Sequence, residues 1–234
     1  MSMHSSLLYS PAAERNHSFI VQVVKRYYQH VIQQHTLDQQ TQTDQHAQAN
    51  QHTQAPLRLL EIASGSGQHS SYLAQALPQL MIQPSDQDLA HVHSIRAYKQ
   101  QLISQGIACD HLQDAIQLDV TQAIEQWPLS EMEFILCVNM IHISPWHCTQ
   151  ALLEAAGHTL TPSGFLITYG PYKFPSQPLA VSNQSFDQSL KSRNPQWGIR
   201  SVHDIDHYAT QQGLTRVETI PCPANNHILV YGRT

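Results

Sequence analysis

A run of residues in the first third of the chain combines the features of a nucleotide-type cofactor site. It reads Leu59-Leu60-Glu61-Ile62-Ala63-Ser64-Gly65-Ser66-Gly67-Gln68-His69. A short apolar stretch typical of a strand leads into a Gly-x-Gly turn, and a helix-like segment follows. Glycines let the backbone turn tightly and approach a ligand closely, and the amides at a helix start favour anionic groups. Because turns contain glycine in most proteins, only the strand and helix around the turn make it informative.

The carboxyl ends of the predicted strands supply the other candidate cofactor residues. In open α/β sheets a ligand lies beyond these ends, where the strand order reverses. The second strand ends at Asp86, about twenty residues after the glycines, where an acidic side chain meets ribose hydroxyls, unless it serves only as a turn or cap. Asp119, on the third strand, could accept a hydrogen bond from an adenine amino group or cap a helix starting near Thr121. The expected cofactor-binding residues are Glu61, Ala63, Gly65, Gly67, Asp86, Asp119 and Asn139.

Two polar residues after the fourth predicted strand, Asn139 and His142, are the candidate catalytic residues. Histidine titrates near neutral pH, and a positioned base with such a pKa accelerates a reaction that removes a proton. His142 is therefore the expected base; the alternative is a histidine that holds the loop by hydrogen bonds. Asn139 could orient a substrate amine or hydroxyl.

A long segment, residues 171–200, separates the fifth strand from the next helix and is rich in aromatic and amide side chains. Long loops inside compact domains are often lids or binding loops. We expect a lid over a small polar or aromatic substrate; the alternative is a partly helical loop packed on the sheet edge. Arg15 or Arg193 could bind a carboxylate, although either is by default a surface charge. The expected substrate residues are Arg15, Tyr172, Asn183 and Trp197.

Strands and helices alternate after the first glycine-rich turn, which predicts an α/β fold with a doubly wound sheet. The predicted strands are Leu57–Ala63, Leu80–Pro84, Ala115–Val120, Phe134–Asn139, Phe165–Tyr169, Arg216–Pro221 and His227–Gly232. The last two are joined by a short link without a helix, so they must pair antiparallel, because a parallel return needs a crossover. The prediction is a Rossmann-like, mostly parallel seven-stranded sheet that ends in an antiparallel hairpin.

Length and composition fit one domain, residues 1–234, with a large core. The net charge is −5 and the chain has only 12 Lys and Arg residues, so we expect no basic surface of the kind that binds nucleic acid. No apolar run approaches the roughly 20 residues of a membrane helix, and the first residues do not resemble a secretory signal. The four cysteines form no Cys-x-x-Cys pair, so we expect free thiols in the cytoplasm and no metal site.

The N-terminal residues 1–32 are predicted to be a helical segment, because apolar residues recur at helical spacing. Pro11 starts this helix, with Ser10 as its cap and Glu14 in the first turn. Residues 33–56 consist mostly of Gln, His, Thr, Asp, Asn and Ala, and end at a proline. Such a segment buries too little apolar surface to offset its ordering entropy, so we predict a flexible insertion. A metal-binding tract is the alternative.

Long motifs over nearly the whole chain match one known family. They are Ser10-Pro11-Ala12-Ala13-Glu14-Arg15-Asn16, Glu61 to His69, Gln83-Pro84-Ser85-Asp86, Asn139 to Trp146, Tyr169-Gly170-Pro171-Tyr172, Ser182-Asn183, Phe186-Asp187, Pro195-Gln196-Trp197-Gly198 and Pro223-Ala224-Asn225-Asn226. On these motifs the chain resembles class I S-adenosylmethionine-dependent methyltransferases, and more narrowly the methyltransferase-like 26 family, formerly a domain of unknown function. The resemblance implies the Rossmann-like fold and S-adenosylmethionine as cofactor, but hardly implies a substrate. The Gln/His-rich insertion departs from the family.

The function expected from the resemblance is methyl transfer to an unidentified small molecule. A protein that binds the cofactor without transferring a methyl group is the first alternative, and an NAD-type oxidoreductase is the second. Against the oxidoreductase, the turn reads Gly65-x-Gly67-x-x-Ser70, and the chain ends in a hairpin instead of another crossover. The sequence Asn-Met-Ile-His at 139–142 differs from the Asn/Asp-Pro-Pro-Tyr/Phe pattern of amide and adenine N-methyltransferases, which disfavours that class.

Overall fold

A computed structural model describes residues 7–43, 55–127 and 131–233, which form an α/β fold. The helices in this part of the chain are α1 (Pro11–Thr43), α2 (Gln68–Ala76), α3 (Leu89–Ser104), α4 (Trp146–Thr159), α5 (Val181–Arg193) and α6 (Val202–Gln211). The strands are β1 (Arg58–Ile62), β2 (Met81–Asp86), β3 (Ile116–Gln117), β4 (Met132–Val138), β5 (Leu160–Gly170), β6 (Tyr172–Lys173), β7 (Arg200–Ser201), β8 (Leu214–Cys222) and β9 (Asn226–Arg233). Among these helices, none is both long enough and apolar enough to cross a membrane.

Seven strands form one sheet in the order β3-β2-β1-β4-β5-β9-β8. The pairs from β3 to β5 are parallel, whereas β9 runs antiparallel to both β5 and β8. The predicted mostly parallel seven-stranded sheet with a C-terminal antiparallel hairpin is therefore confirmed. The strand order reverses between β1 and β4, which is the switch point where such sheets bind ligands.

The core lies on both faces of the sheet, so the central strands are continuous apolar runs. Successive side chains of a strand point to opposite faces. In β1, Leu60 and Ile62 pack with residues of α4 and α6 on one face. Leu59 packs with residues of α1, α2 and α3 on the other. The sheet is thus the middle of three layers, and its carboxyl-end edge remains open between them.

Helix α1 begins where the sequence predicts it to begin. Ser10 Oγ accepts a hydrogen bond from the Ala13 amide at 3.3 Å, and Glu14 lies in the first turn. The helix continues to Thr43, however, beyond the boundary predicted at residue 32. Helix hydrogen bonds are local, and glutamine, which makes up much of this extension, is a good helix former. Residues 44–54 of the predicted insertion lie outside the described residues.

The segment 171–200 is more ordered than a loop. It contains the short strand β6, the helix α5 and the start of β7, and β6 and β7 pair with each other in a separate two-stranded sheet. The segment is thus partly helical, as in the alternative to a lid. At the other edge, β3 is only Ile116–Gln117, shorter than predicted, so Asp119 lies after the strand.

Candidate functional site

Two neighbouring cavities lie at the carboxyl-end edge of the sheet. The strand-end cavity, of about 180 Å³, is lined by Ile62, Ala63, Gly65, Asp86, Gln87, His91, Leu118, Val120, Val138, Met140, Ile143, Ser144 and Cys148. The outer cavity, of about 500 Å³, is lined by Ser10, Ala12, Arg15, Asn16, Phe19, Asn139, Ile143, Tyr169, Pro171, Asn183, Phe186, Arg193, Pro223, Ala224 and Asn226. Because Ile143 lines both, the two cavities adjoin each other.

The two glycines of the turn after β1 have different surroundings. Gly65 (φ 58°) lines the strand-end cavity, and a Cβ added there would meet nothing within 4 Å. Gly67 (φ 95°) instead faces α3, where a Cβ would lie 2.7 Å from Ile95 Cα. Both positions have the positive φ that glycine tolerates best. Gly65 therefore offers open backbone to a ligand, and Gly67 lets α3 approach the turn.

Asp86 joins this turn to the start of α3 and also lines the cavity. Its Oδ2 accepts a hydrogen bond from the Gly65 amide at 2.9 Å, and its Oδ1 accepts one from the Asp88 amide at 3.0 Å. His91 Nδ1 lies 3.1 Å from the same Oδ1. A carboxylate can accept about four hydrogen bonds, so Asp86 retains capacity for a ligand hydroxyl.

Glu61 is a buried acid behind the glycine turn. The Ser70 hydroxyl donates to its Oε2, whereas its Oε1 is buried without a hydrogen-bond partner, 3.7 Å from His69 Nδ1. Burial raises the pKa of Glu61 to about 7 and lowers that of His69 to about 4. The other ring nitrogen of His69 is 2.7 Å from Asn16 Oδ1, so Glu61 connects through His69 to a wall residue of the outer cavity.

Asn139 directly follows β4, has a left-handed backbone conformation (φ 63°) and lines the outer cavity. Its amide nitrogen on the backbone donates to Tyr169 O at 2.9 Å, which ties β4 to β5 at the cavity. Its side chain makes no hydrogen bond to any described residue. The Asn139 side-chain amide therefore keeps its donors and its acceptor for a ligand.

His142 lies in the core instead of in a cavity wall. Residues Met140–His142 form one 3-10 turn, which rotates the imidazole away from both cavities and beneath Gly170, where a Cβ would overlap its Nε2. The ring is fully buried, its Nε2 has no partner, and the Arg200 amide lies 3.4 Å from its Nδ1. Burial lowers the pKa of His142 to about 3. This placement argues against the expected base and favours a residue that packs the loop.

The other predicted site residues divide into those that line a cavity and those that do not. Ala63, Arg15 and Asn183 are wall residues, and Asn183 Nδ2 donates to Asn225 O at 3.0 Å. The exposed Asp119 accepts hydrogen bonds from the Thr121 amide and hydroxyl through Oδ1, so it closes a turn and does not line the strand-end cavity.

Tyr172 was expected to contact the substrate, but it lines neither cavity. Its side chain is buried in the core, and its hydroxyl donates to Thr168 Oγ1 at 2.8 Å. Trp197 lines neither cavity; it packs under the Arg193 guanidinium, 5.5 Å from ring centroid to Cζ.

Several wall residues were not predicted. In the strand-end cavity these include His91, one helical turn into α3, and the apolar residues Met140 and Ile143. In the outer cavity they include Asn16 and Tyr169, which lie inside the matching motifs without having been assigned a role. The position of His91, five residues after Asp86, was a usable signal, because the first turn of a crossover helix lies beside the strand end.

The strand-end cavity fits the cofactor implied by the sequence. Its apolar side chains suit the faces of a purine, and Asp86 suits ribose hydroxyls. Glu61 does not line this cavity and lies buried behind the glycine turn. Within the described ranges, no group of three or more His, Cys, Asp or Glu side chains is arranged to hold a metal ion.

A comparison with family models matches residues 47–233 to a family described as "Protein of unknown function (DUF938)". The match covers most of the chain, including β1 to β9 and both cavities except the walls that α1 contributes.

Solved structures with a similar fold are methyltransferases. The mitomycin 7-O-methyltransferase MmcR is 16% identical, with a TM-score of 0.62 over 76% of this chain and 49% of that one. An O-methyltransferase family 2 protein from Planctomyces limnophilus in complex with apigenin is 18% identical, with a TM-score of 0.62 over 80% of this chain and 52% of that one. Human N-acetylserotonin methyltransferase in complex with SAM is 14% identical, with a TM-score of 0.60 over 75% of this chain and 47% of that one. The chain thus spans about half the length of these proteins, and the likeness establishes the fold.

Proposed function

The chain belongs to the family described as "Protein of unknown function (DUF938)", and from its site we propose that it is an S-adenosylmethionine-dependent methyltransferase acting on a small molecule. The observation that carries this proposal is the strand-end cavity at the switch point of the sheet. It combines an apolar wall, the carboxylate of Asp86 and the open backbone of Gly65. The methyltransferases with the same fold include one in complex with SAM.

Each cofactor residue has a role that follows from its position. Asp86 would bind the ribose while it holds the Gly65 amide. The Glu61 carboxylate would accept a hydrogen bond from the amino group of the cofactor's methionine portion, because its Oε1 has no hydrogen-bond partner among the described residues and a cation would stabilise the charge of a buried acid. Ile62, Leu118 and Val138 would contact the adenine. The bound cofactor would supply an activated methyl group on its sulfonium.

The substrate would occupy the outer cavity, which adjoins the strand-end cavity at Ile143. Asn139 would orient the acceptor atom, since its side-chain amide has no hydrogen-bond partner among the described residues. Transfer then depends chiefly on in-line placement and exclusion of water. Among the described wall residues of the outer cavity, none is a histidine, aspartate or glutamate. None of these residues is thus an obvious base, so the proton of a neutral acceptor would be released to water.

A narrower assignment within the family is also proposed. The motifs around Glu61–His69 and Asn139–Trp146 support a place among the methyltransferase-like 26 proteins. The four free cysteines support a reducing compartment such as the cytoplasm. The missing base is compatible with the alternative of a cofactor-binding protein without transfer activity, whereas the hairpin order of β9 and β8 does not favour an oxidoreductase.

Calorimetry with S-adenosylmethionine, S-adenosylhomocysteine and NAD tests the proposal directly. We expect both sulfur compounds to bind at one site and NAD not to bind. A screen of metabolite extracts with the labelled donor then separates a transferase from a binding protein. Binding of NAD in preference to S-adenosylhomocysteine would reject the proposed function.

A further inference from the structure

We propose that the methyl acceptor is a small organic acid whose carboxylate is bound by Arg15 and Arg193 in the outer cavity. This inference rests on the proposed function and names the substrate class of the same site. The two arginines come from separate elements, α1 and the end of α5, yet both line one cavity. Guanidinium groups bind carboxylates through paired hydrogen bonds, so they are suited to this recognition.

The charge on the cavity wall supports an anionic ligand. The chain carries a net charge of −5, with 17 Asp and Glu, but none of the described residues lining the outer cavity is acidic. The wall is therefore positive on a molecule that is negative overall. Such a concave positive region raises the local concentration of anions and steers them to the site.

The pairing of the arginines supports the same conclusion. Five of the 12 Lys and Arg side chains have an acidic partner among the described residues: Arg26 with Glu218, Lys99 with Asp114, Lys173 and Lys191 with Asp187, and Arg216 with Asp206. Three further arginines, Arg96, Arg200 and Arg233, donate to backbone carbonyls. Arg15 makes no ion pair or hydrogen bond to a described residue. Arg193 contacts only the Ser189 carbonyl, at 3.4 Å, and the Trp197 ring. Both guanidinium groups thus keep donors for a carboxylate.

The remaining wall residues indicate which groups the acid carries besides its carboxylate. Phe19 and Phe186 are 36% and 37% exposed, although both are large and apolar. They line the cavity together with the amides Asn16, Asn139 and Asn183. Aromatic rings provide large apolar contact area, and amides provide hydrogen bonds that orient a ligand. A hydroxylated aromatic acid has the carboxylate, ring and polar group that this wall can bind.

The test uses matched pairs of probes that differ only in charge. Binding of 4-hydroxybenzoate, 3-hydroxybenzoate and 3-(4-hydroxyphenyl)propanoate, and of their neutral carboxamides, is measured by calorimetry on the protein saturated with S-adenosylhomocysteine. We expect at least one acid to bind about tenfold or more tightly than its carboxamide, because a hydrogen bond to a charged group contributes about 1.5–3 kcal/mol. Arg15→Gln and Arg193→Gln should each remove most of this preference.

Arg26→Gln is the matched control, because Arg26 lies on the same helix but pairs with Glu218 and lines neither cavity. It should keep the preference for acids, and thermal melting checks that all three variants are folded. Carboxamides that bind as well as the acids, or no binding of any acid at millimolar concentration, would overturn the inference. If S-adenosylhomocysteine still binds in that case, the proposed function stands. Failure of S-adenosylhomocysteine to bind would count against the proposed function instead.

Discussion

At the scale of single residues, Asp86 links the order of the glycine turn to cofactor binding. It accepts the Gly65 and Asp88 amides and lines the strand-end cavity. In Asp86→Ala these hydrogen bonds and the expected ribose contact are lost. Because each such loss costs about 1–3 kcal/mol, we expect affinity for S-adenosylhomocysteine to fall about tenfold or more by calorimetry.

A neighbouring acid provides the control for this substitution. Asp88 caps α3 by accepting the Ala90 amide at 2.8 Å, but it is exposed and does not line the cavity. Asp88→Ala should lower stability by about 1 kcal/mol through loss of the cap and leave cofactor affinity nearly unchanged. Equal affinities in wild type and Asp86→Ala would remove Asp86 from the cofactor site.

The sequence predicted the strand ends better than the directions of the side chains that follow them. Asp86 and Asn139 line cavities because they stand where their strands end. His142 does not, because a left-handed residue and a 3-10 turn redirect the backbone between Asn139 and His142. A motif gives the spacing along the chain, but the rotation of a turn depends on tertiary packing, here against Gly170 and Arg200.

At the scale of elements, the glycine turn makes different predictions for its two glycines. Gly67→Ala adds strain at φ 95° and a clash with the backbone of α3 at Ile95. We expect it to reduce the free energy of unfolding by about 2 kcal/mol or more, since strain and overpacking each cost about 1–3 kcal/mol. Urea denaturation measures this loss.

Gly65→Ala is the matched variant, with a positive φ but open space around the added Cβ. It should reduce the free energy of unfolding by less than Gly67→Ala does. It should also lower the affinity for S-adenosylhomocysteine by more than its loss of stability would suggest, because the added methyl group enters the strand-end cavity. Greater stability loss in Gly65→Ala than in Gly67→Ala would contradict the separate purposes assigned to them.

The elements that sequence patterns missed are those without an apolar stripe. The central strands were predictable because both of their faces are buried and their sequences are apolar. Helix α5 is mostly polar, with Asn183, Asp187 and Leu190 as its buried residues, so hydrophobic periodicity does not reveal it. The extension of α1 beyond residue 32 is polar in the same way. Both depend on helix propensity and on contacts that a linear pattern does not contain.

At the scale of the whole molecule, α1 and the segment before it connect the two cavities. The Leu8 amide donates to Ser94 Oγ at 2.9 Å, and the Ser10 amide donates to Gln68 Oε1 at 2.6 Å. The same helix carries Arg15 and Asn16 to the outer cavity. The N-terminal helix is therefore part of the wall of the outer cavity, and the segment before it is anchored beside the glycine turn.

Buried titratable groups beside the cavities should give the molecule a characteristic dependence of stability on pH. Burial raises the pKa of Glu61 to about 7, so between about pH 4.5 and 7 the folded state holds a proton that the unfolded state releases. This contribution makes stability fall as pH rises. Burial lowers the pKa of His69 to about 4 and of His142 to about 3, so below about pH 6.5 the unfolded state takes up protons instead. Their contribution makes stability fall as pH falls.

Substitution of Glu61 by glutamine separates these opposing contributions. Glu61→Gln keeps the shape but not the titration, so the histidine contributions remain in both proteins and cancel in the difference. We expect the stability of wild type relative to Glu61→Gln to fall by up to about 3 kcal/mol between pH 5 and pH 8, at about 1.4 kcal/mol for each unit of pKa shift. Urea denaturation at intervals across this range measures it. A flat difference for Glu61→Gln would mean that the pKa of Glu61 is the same in the folded and the unfolded protein, so that burial does not raise it.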